Sequence, residues 1–325
     1  LEIVSFPDIH TAEHAKAYAR ELYLLMKYAG VSEADLFYGN MRFDVNVSVC
    51  DDPSRLGTRS ETKNLNSFRS VEKAVEYEIK RQTELLEKGE KVVQETRGWD
   101  DTKQKTFSQR SKEDAHDYRY FPEPDVPPIE ISAETIEEVR SQMPKLPSEL
   151  REEFAGIGLE RSQIETLLDA PEAAEIMHFV ASGHDKKTAR TIGNWFTGEL
   201  LRLVVEETLS WAKVSESIDK LIKLAAMVDG SSLSSSAAKN ILVEMVQSNG
   251  DPESIAKQKN LLQVSDEGTL IGIIQQVIEA NAKAADDVRS GELKAIGFLV
   301  GQVMRQSGGQ ANPSVVADLI KKQLG

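Results

Sequence analysis

Two short runs place side chains that handle phosphate and metal at strand spacing. Over residues 41–50 the chain alternates strictly. Arg42, Asp44, Asn46 and Ser48 fall on one side, and Met41, Phe43, Val45, Val47 and Val49 on the other. This is the period-two pattern of a half-buried strand. A plain solvated face would carry Lys, Glu and Thr; this one lines up a guanidinium, a carboxylate, an amide and a hydroxyl. After a loop at 51–56, residues 57–64 read as a second extended run with Arg59, Glu61 and Lys63 on one face. Two such neighbouring faces make a wall of mixed charge, with carboxylates for a hard cation and Arg or Lys for phosphate oxygens. From the residues alone, Glu61 between two cations equally describes a surface ion-pair ladder. Asp44 and Asn46 equally describe a hydrogen-bond network that holds a hairpin.

Other signals narrow the chemistry. Neither a GxxxxGK[ST] loop nor a kinase glycine-rich loop is present, so nucleotide binding is not read from motifs. The single Cys50 excludes an intramolecular disulfide framework and suits a reducing compartment. His116 beside Asp117 is a proton relay in principle and incidental by default; His178 and His184 have no ligand partners at useful spacing. The formal charge of −14 argues against diffuse polyanion binding. Residues 239–325 carry nine Lys/Arg and ten Asp/Glu, so this part would meet RNA without strong repulsion, although it has no basic stripe. No apolar run reaches the length of a membrane span.

Several elements must position these residues. Thr11 is placed to cap a helix running to about Tyr28, stopped by Gly30. Ser67 is placed to cap another through Glu87, with Val71, Val75, Ile79 and Leu86 as its apolar stripe and Gly89 past its end. Residues 91–97 and 104–110 read as a further strand pair around a turn at 100–103. The first part is therefore α+β with an antiparallel sheet, closed by the extended FPEPDVPP of residues 121–128. From about Ile131 the pattern is helical. GSSLSSS at 230–236 reads as a linker or exposed turn, and the helical module after it is broken at 250–252 and 307–309. Trp195 and Phe196 read as core.

Three stretches carry a family resemblance: GTRSETKNLNSFRSVEKAVEYEIKRQ, VVQETRGWDD and QRSKEDAHDYRYFPEPDVPPIEI. With GELKAIGFLVGQVMRQSGGQANP near the end, they resemble the B subunits of the aspartyl/glutamyl-tRNA amidotransferases over nearly the whole chain. The resemblance implies a partial antiparallel-sheet catalytic (cradle) domain at 1–131, an all-α helical domain at 132–229 and a small helical tail domain at 237–325. It implies an ATP-dependent ligase. Phosphate is transferred to the side-chain carboxylate of Glu-tRNA(Gln) or Asp-tRNA(Asn), and the A and C subunits of a heterotrimer complete the transamidation in the cytoplasm. The implied cofactors are ATP and Mg²⁺, and the implied partners are those two subunits and misacylated tRNA, with no membrane and no DNA.

On this reading Glu61 holds the metal and acts in catalysis with Asp44 and Lys63. Arg42, Arg59, Arg97 and Asn46 meet nucleotide or phosphate, while Arg119, Lys294, Arg305, Lys321 and Lys322 meet tRNA. Arg119 between Tyr118 and Tyr120 equally suits packing that seals the domain. The chain departs from the family pattern at Phe6 and Tyr38, where Glu is usual, and at Gly308–Gly309–Gln310, where Lys is frequent. The family has a substantial segment before the point matching Leu1, so the chain is expected to be N-terminally truncated and not to turn over alone. These departures leave a second reading, a tRNA-docking scaffold without phosphoryl transfer, and a third, an acidic helical adaptor between partner subunits.

Overall fold

The computed structural model describes all residues except Pro53, 112–120, 264–266, Gly291, Leu293, Gly309, Gln310 and Gly325. The described chain forms two compact units, Leu1–Glu149 and Leu150–Gly325.

The first unit is α+β. Helix α1 (Ala12–Tyr28) starts at Thr11, whose side chain accepts from the His14 amide. Strands β1 (Phe43–Val47) and β2 (Ser60–Leu65) follow, then α2 (Phe68–Glu87), capped by Ser67. Strands β3 (Glu95–Asp100) and β4 (Lys105–Ser111) complete a sheet of order β1-β2-β3-β4. The outer pairs are antiparallel, but β2 and β3 run parallel. The sheet is thus mixed rather than antiparallel throughout, because the whole of α2 lies between its central strands and returns the chain in the same direction. α2 packs on one face of the sheet and against α1. The core there gathers Ala15, Ala19, Val47, Leu65, Val71, Ala74 and Val75. The expected stripe of α2 holds at Val71 and Val75. Its C-terminal end does not: Leu86 is exposed, and the buried positions are instead Glu78 and Gln82. Helix α3 (Ala133–Gln142) buries no residue.

The second unit is helical. It contains most of α4 (Pro147–Gly156), then α5 (Arg161–Leu168), α6 (Pro171–Gly183) and α7 (Lys186–Trp195). A π-helical turn, Phe196–Leu200, runs directly into α8 (Leu201–Val205). Trp195 and Phe196 are core residues as expected, with Phe196 stacked on Trp211 at a ring separation of 5.3 Å. After α9 (Trp211–Glu216) and α10 (Ile218–Asp229), residues 230–234 form a turn with Leu233 buried, and residues 235 and 236 already belong to the next helix. Helices α11 (Ser235–Ser248) and α12 (Pro252–Gln258) pack on α10. Residues of α13 (Glu267–Ala280), α14 (Ala282–Arg289), α15 (Lys294–Gln306) and α16 (Pro313–Leu324) build a core cluster of their own. No helix is long and apolar enough to cross a membrane among the described residues.

Candidate functional site

The sheet has a greasy face and a polar one, and the expected site residues sort between them. Val45 pairs with Thr62 and Val47 with Ser60, all toward α2; Asn46 pairs with Glu61 on the opposite face. On that polar face Lys63 Nζ lies 2.8 Å from Asp44 Oδ2 and 2.8 Å from Glu61 Oε1. Its hydrogen bonds to Asp44 and then to Glu61 raise the Lys63 pKa above the ordinary lysine value. Asp44 is fixed a second time, since the Asn64 amide donates to its Oδ1 at 3.0 Å. Asn64 reaches that position with a left-handed backbone (φ 58°), where the β1–β2 register shifts. Such a bulge re-aims neighbouring side chains.

The neighbouring strands extend this face. Thr96 stands in register with Glu61, and its hydroxyl is buried with no hydrogen-bond partner among the described residues. Gly98 stands beside Lys63, and the Phe107 ring lies so close that a Cβ on Gly98 would come within 2.4 Å of it. Arg42 and Arg59 are exposed just before β1 and β2. Asn46 is exposed on the same face as Glu61.

Arg97 is placed elsewhere. It pairs with Thr62 and points toward α2, where its Nε lies 3.0 Å from Glu78 and donates to Thr106 Oγ1 at 2.8 Å. Glu95 engages the same guanidinium. Arg97 is 8% exposed and fully committed to this interior network, so it does not join the phosphate-facing group.

The network itself was not anticipated. Glu78 of α2 accepts from Ser60 of β2 at 2.6 Å, from Thr106 of β4 and from Arg81. Gln82 donates to the Val47 carbonyl at 3.0 Å and accepts from the Val49 amide at 3.1 Å. One turn-and-a-bit of α2 thus grips all four strands from below the polar face. The available signal was two polar residues at helical spacing on an apolar stripe, Val71, Val75, Glu78 and Gln82.

Among the described residues no three His, Cys, Asp or Glu side chains form a metal-binding group. The donor set on the polar face is nevertheless one that Mg²⁺ accepts. Mg²⁺ in proteins is generally held by one or two carboxylates, with water and substrate phosphate filling the rest of its shell. Asp44, Glu61 and the buried Thr96 hydroxyl are hard oxygen donors of that kind. His178 is paired with Glu153 at 2.9 Å in the helical unit, far in sequence from these donors.

Arg119 and His116 lie outside the described residues. Lys294, Arg305, Lys321 and Lys322 are all exposed. Lys294 and Arg305 stand eleven residues apart on α15, roughly 16 Å along its axis and on the same side. Lys321 and Lys322 are in the last turn of α16.

Residues 1–137 match the GatB/GatE catalytic domain family and residues 177–324 the GatB domain family. The B subunit of the aspartyl/glutamyl-tRNA(Asn/Gln) amidotransferase of Carboxydothermus hydrogenoformans is 41% identical over 326 residues, which cover 100% of this chain and 67% of the relative. The B subunit of the same name from Desulfotalea psychrophila is 42% identical over 328 residues, 100% of this chain and 68% of the relative. The chain belongs to the family of amidotransferase B subunits. It spans about two thirds of the length of these relatives. Within the matched catalytic-domain region, the B-family sheet carries Asp44, Asn46, Glu61 and Lys63 on its open face and the Glu78 network on its covered one.

Proposed function

We propose that this B-family chain activates the side-chain carboxylate of Glu on tRNA(Gln), or Asp on tRNA(Asn), by phosphoryl transfer from ATP. A carboxylate oxygen attacks the γ-phosphorus and ADP departs, leaving an acyl phosphate. Ammonia from the amidase (A) subunit, working with the C subunit in the cytoplasm, then attacks the carbonyl; inorganic phosphate leaves and the amide forms. Phosphoryl transfer needs positioning and charge neutralisation more than covalent help.

The observation that carries this reading is the convergence of Asp44, Glu61 and Lys63 on one sheet face in a B-family chain. Glu61 and Asp44 would hold Mg²⁺, which supplies charge neutralisation for the triphosphate when bound. Lys63, Arg42 and Arg59 are the cations suited to phosphate oxygens, and Asn46 is a hydrogen-bonding neighbour. Lys294, Arg305, Lys321 and Lys322 would meet the tRNA body. A tRNA-docking scaffold without phosphoryl transfer is the second reading. It is favoured by Phe6 and Tyr38, 83% and 78% exposed, where the family resemblance places Glu.

The test is release of the ATP γ-phosphate by this chain with purified A and C subunits, comparing Glu-tRNA(Gln) with Gln-tRNA(Gln). Release stimulated only by the misacylated tRNA is expected. Glu61→Gln should lower it by about 100-fold or more with tRNA binding retained. tRNA binding without any release or phosphorylated Glu-tRNA would leave the scaffold reading standing instead.

A further inference from the structure

The geometry points to Lys63 as a resident counter-ion that competes with an incoming divalent cation for Asp44 and Glu61. When the cation binds, it turns the Lys63 ammonium out toward phosphate. This rests on the metal role given to Glu61 and Asp44 above.

Three features carry it. First, one ammonium sits 2.8 Å from an oxygen of each carboxylate, so the position nearest to both oxygens is already filled by positive charge. Second, the carboxylate side of the site does not depend on Lys63. Asp44 is pinned by the Asn64 amide at 3.0 Å, and Glu61 stands on a paired strand opposite a buried Thr96 hydroxyl with no hydrogen-bond partner among the described residues. Third, Lys63 can leave. Its side chain is 33% exposed on a flexible four-carbon stem, whereas that of Glu61 is 13% exposed. Two negative groups around one ammonium bind a doubly charged ion more strongly once the ammonium is gone, because like charges at contact range repel. A released Lys63 keeps its charge for the anion that arrives with the metal. In this arrangement Lys63 cuts the charge of the empty site from two negatives to one, and the loaded site gains a phosphate ligand without moving the backbone.

The test uses Mn²⁺ alone, titrated into the full chain and followed by electron paramagnetic resonance. Wild type, Lys63→Met and Lys63→Arg are compared, with folding checked by circular dichroism. Lys63→Met is expected to bind Mn²⁺ at least tenfold more tightly than wild type, about 1.4 kcal/mol. Lys63→Arg should remain near wild type, because the charge is kept. In wild type, Mn²⁺ should raise acetylation of Lys63 by a water-soluble ester several-fold and leave that of exposed Lys103 unchanged. Binding by Lys63→Met alone would also support the competition. Equal affinities in wild type and Lys63→Met, or unchanged Lys63 labelling at saturating Mn²⁺, would overturn it while sparing the metal site. No binding by any of the three would overturn the metal role itself, and the competition with it.

Discussion

Glu78 keeps a charged carboxylate at 0% exposure. Burial alone would raise its pKa. Hydrogen bonds from Arg81, Ser60 and Thr106 and the Arg81 charge outweigh that and bring it down from 4.5 to about 2. A depressed carboxylate stabilises the folded state above its unfolded pKa, and that contribution is lost as pH falls from about 4.5 toward 2. The shift corresponds to something on the order of 3 kcal/mol. Glu78→Gln removes the carboxylate partner of Arg81 and one of the two carboxylates on buried Arg97, which keeps Glu95, so it should cost about 3 kcal/mol at neutral pH. It should also flatten the acid limb of the stability curve between pH 4.5 and 2; urea unfolding at stepped pH measures both. An unchanged acid limb would mean that other carboxylates govern it. At this scale the sequence was half legible. The alternation of residues 42–48 placed Asp44 and Asn46 on the polar face, and Glu61 and Lys63 followed from the same period. Arg97 was misplaced because a residue type does not reveal which face of a strand it takes. That was decided by register with Thr62, a contact 35 residues away.

Elements were more legible than their pairing. The caps Thr11 and Ser67 start α1 and α2 where their hydroxyls predict, since a free amide at a helix start is satisfied by such a side chain. The third strand begins at Glu95, four residues later than the periodicity suggested. The sheet was expected to be antiparallel and its central β2–β3 pair is parallel, because the pairing of strands joined over a helix is not written in either strand. Two glycines hold the sheet's close approaches. A Cβ at Gly57 would lie 2.1 Å from the Val49 carbonyl oxygen, a backbone atom that cannot step aside. At Gly98 the obstacles are the Phe107 ring and the end of Gln109, which can rotate. Gly57→Ala should therefore destabilise by about 1–3 kcal/mol in urea unfolding, with Gly98→Ala costing less. A larger loss at Gly98 would show that the Phe107 ring is immobile over the polar face.

For the whole molecule, charge sets the terms of any RNA contact. The chain carries −14 in all, of which residues 239–325 hold only −1, so an RNA strand meets least repulsion there. If Lys294, Arg305, Lys321 and Lys322 each touch phosphate, replacing all four by Gln should reduce the slope of log affinity against log salt. The reduction should be about 3 to 4, near 0.9 per contact. Filter-binding of tRNA at several salt concentrations measures it. An unchanged slope would place the RNA contact elsewhere. Helical character after residue 131 was plain in the sequence, because amphipathic spacing is local. The burial of Leu233 was not, because the serine-rich turn before α11 has the composition of a linker. The parallel central pair has a last consequence, in time rather than space. Glu61 and Thr96 are partners separated by the whole of α2, so their ladder cannot close by a local hairpin. The outer pairs and α2 are able to form from nearby residues; the seam between β2 and β3 must wait for the helix to dock. The hairpin thus brings Asp44, Glu61 and Lys63 together from nearby residues, while the Thr96 hydroxyl joins Glu61 only when the long-range seam closes, so slowing that step would delay the back wall of the site rather than its carboxylates.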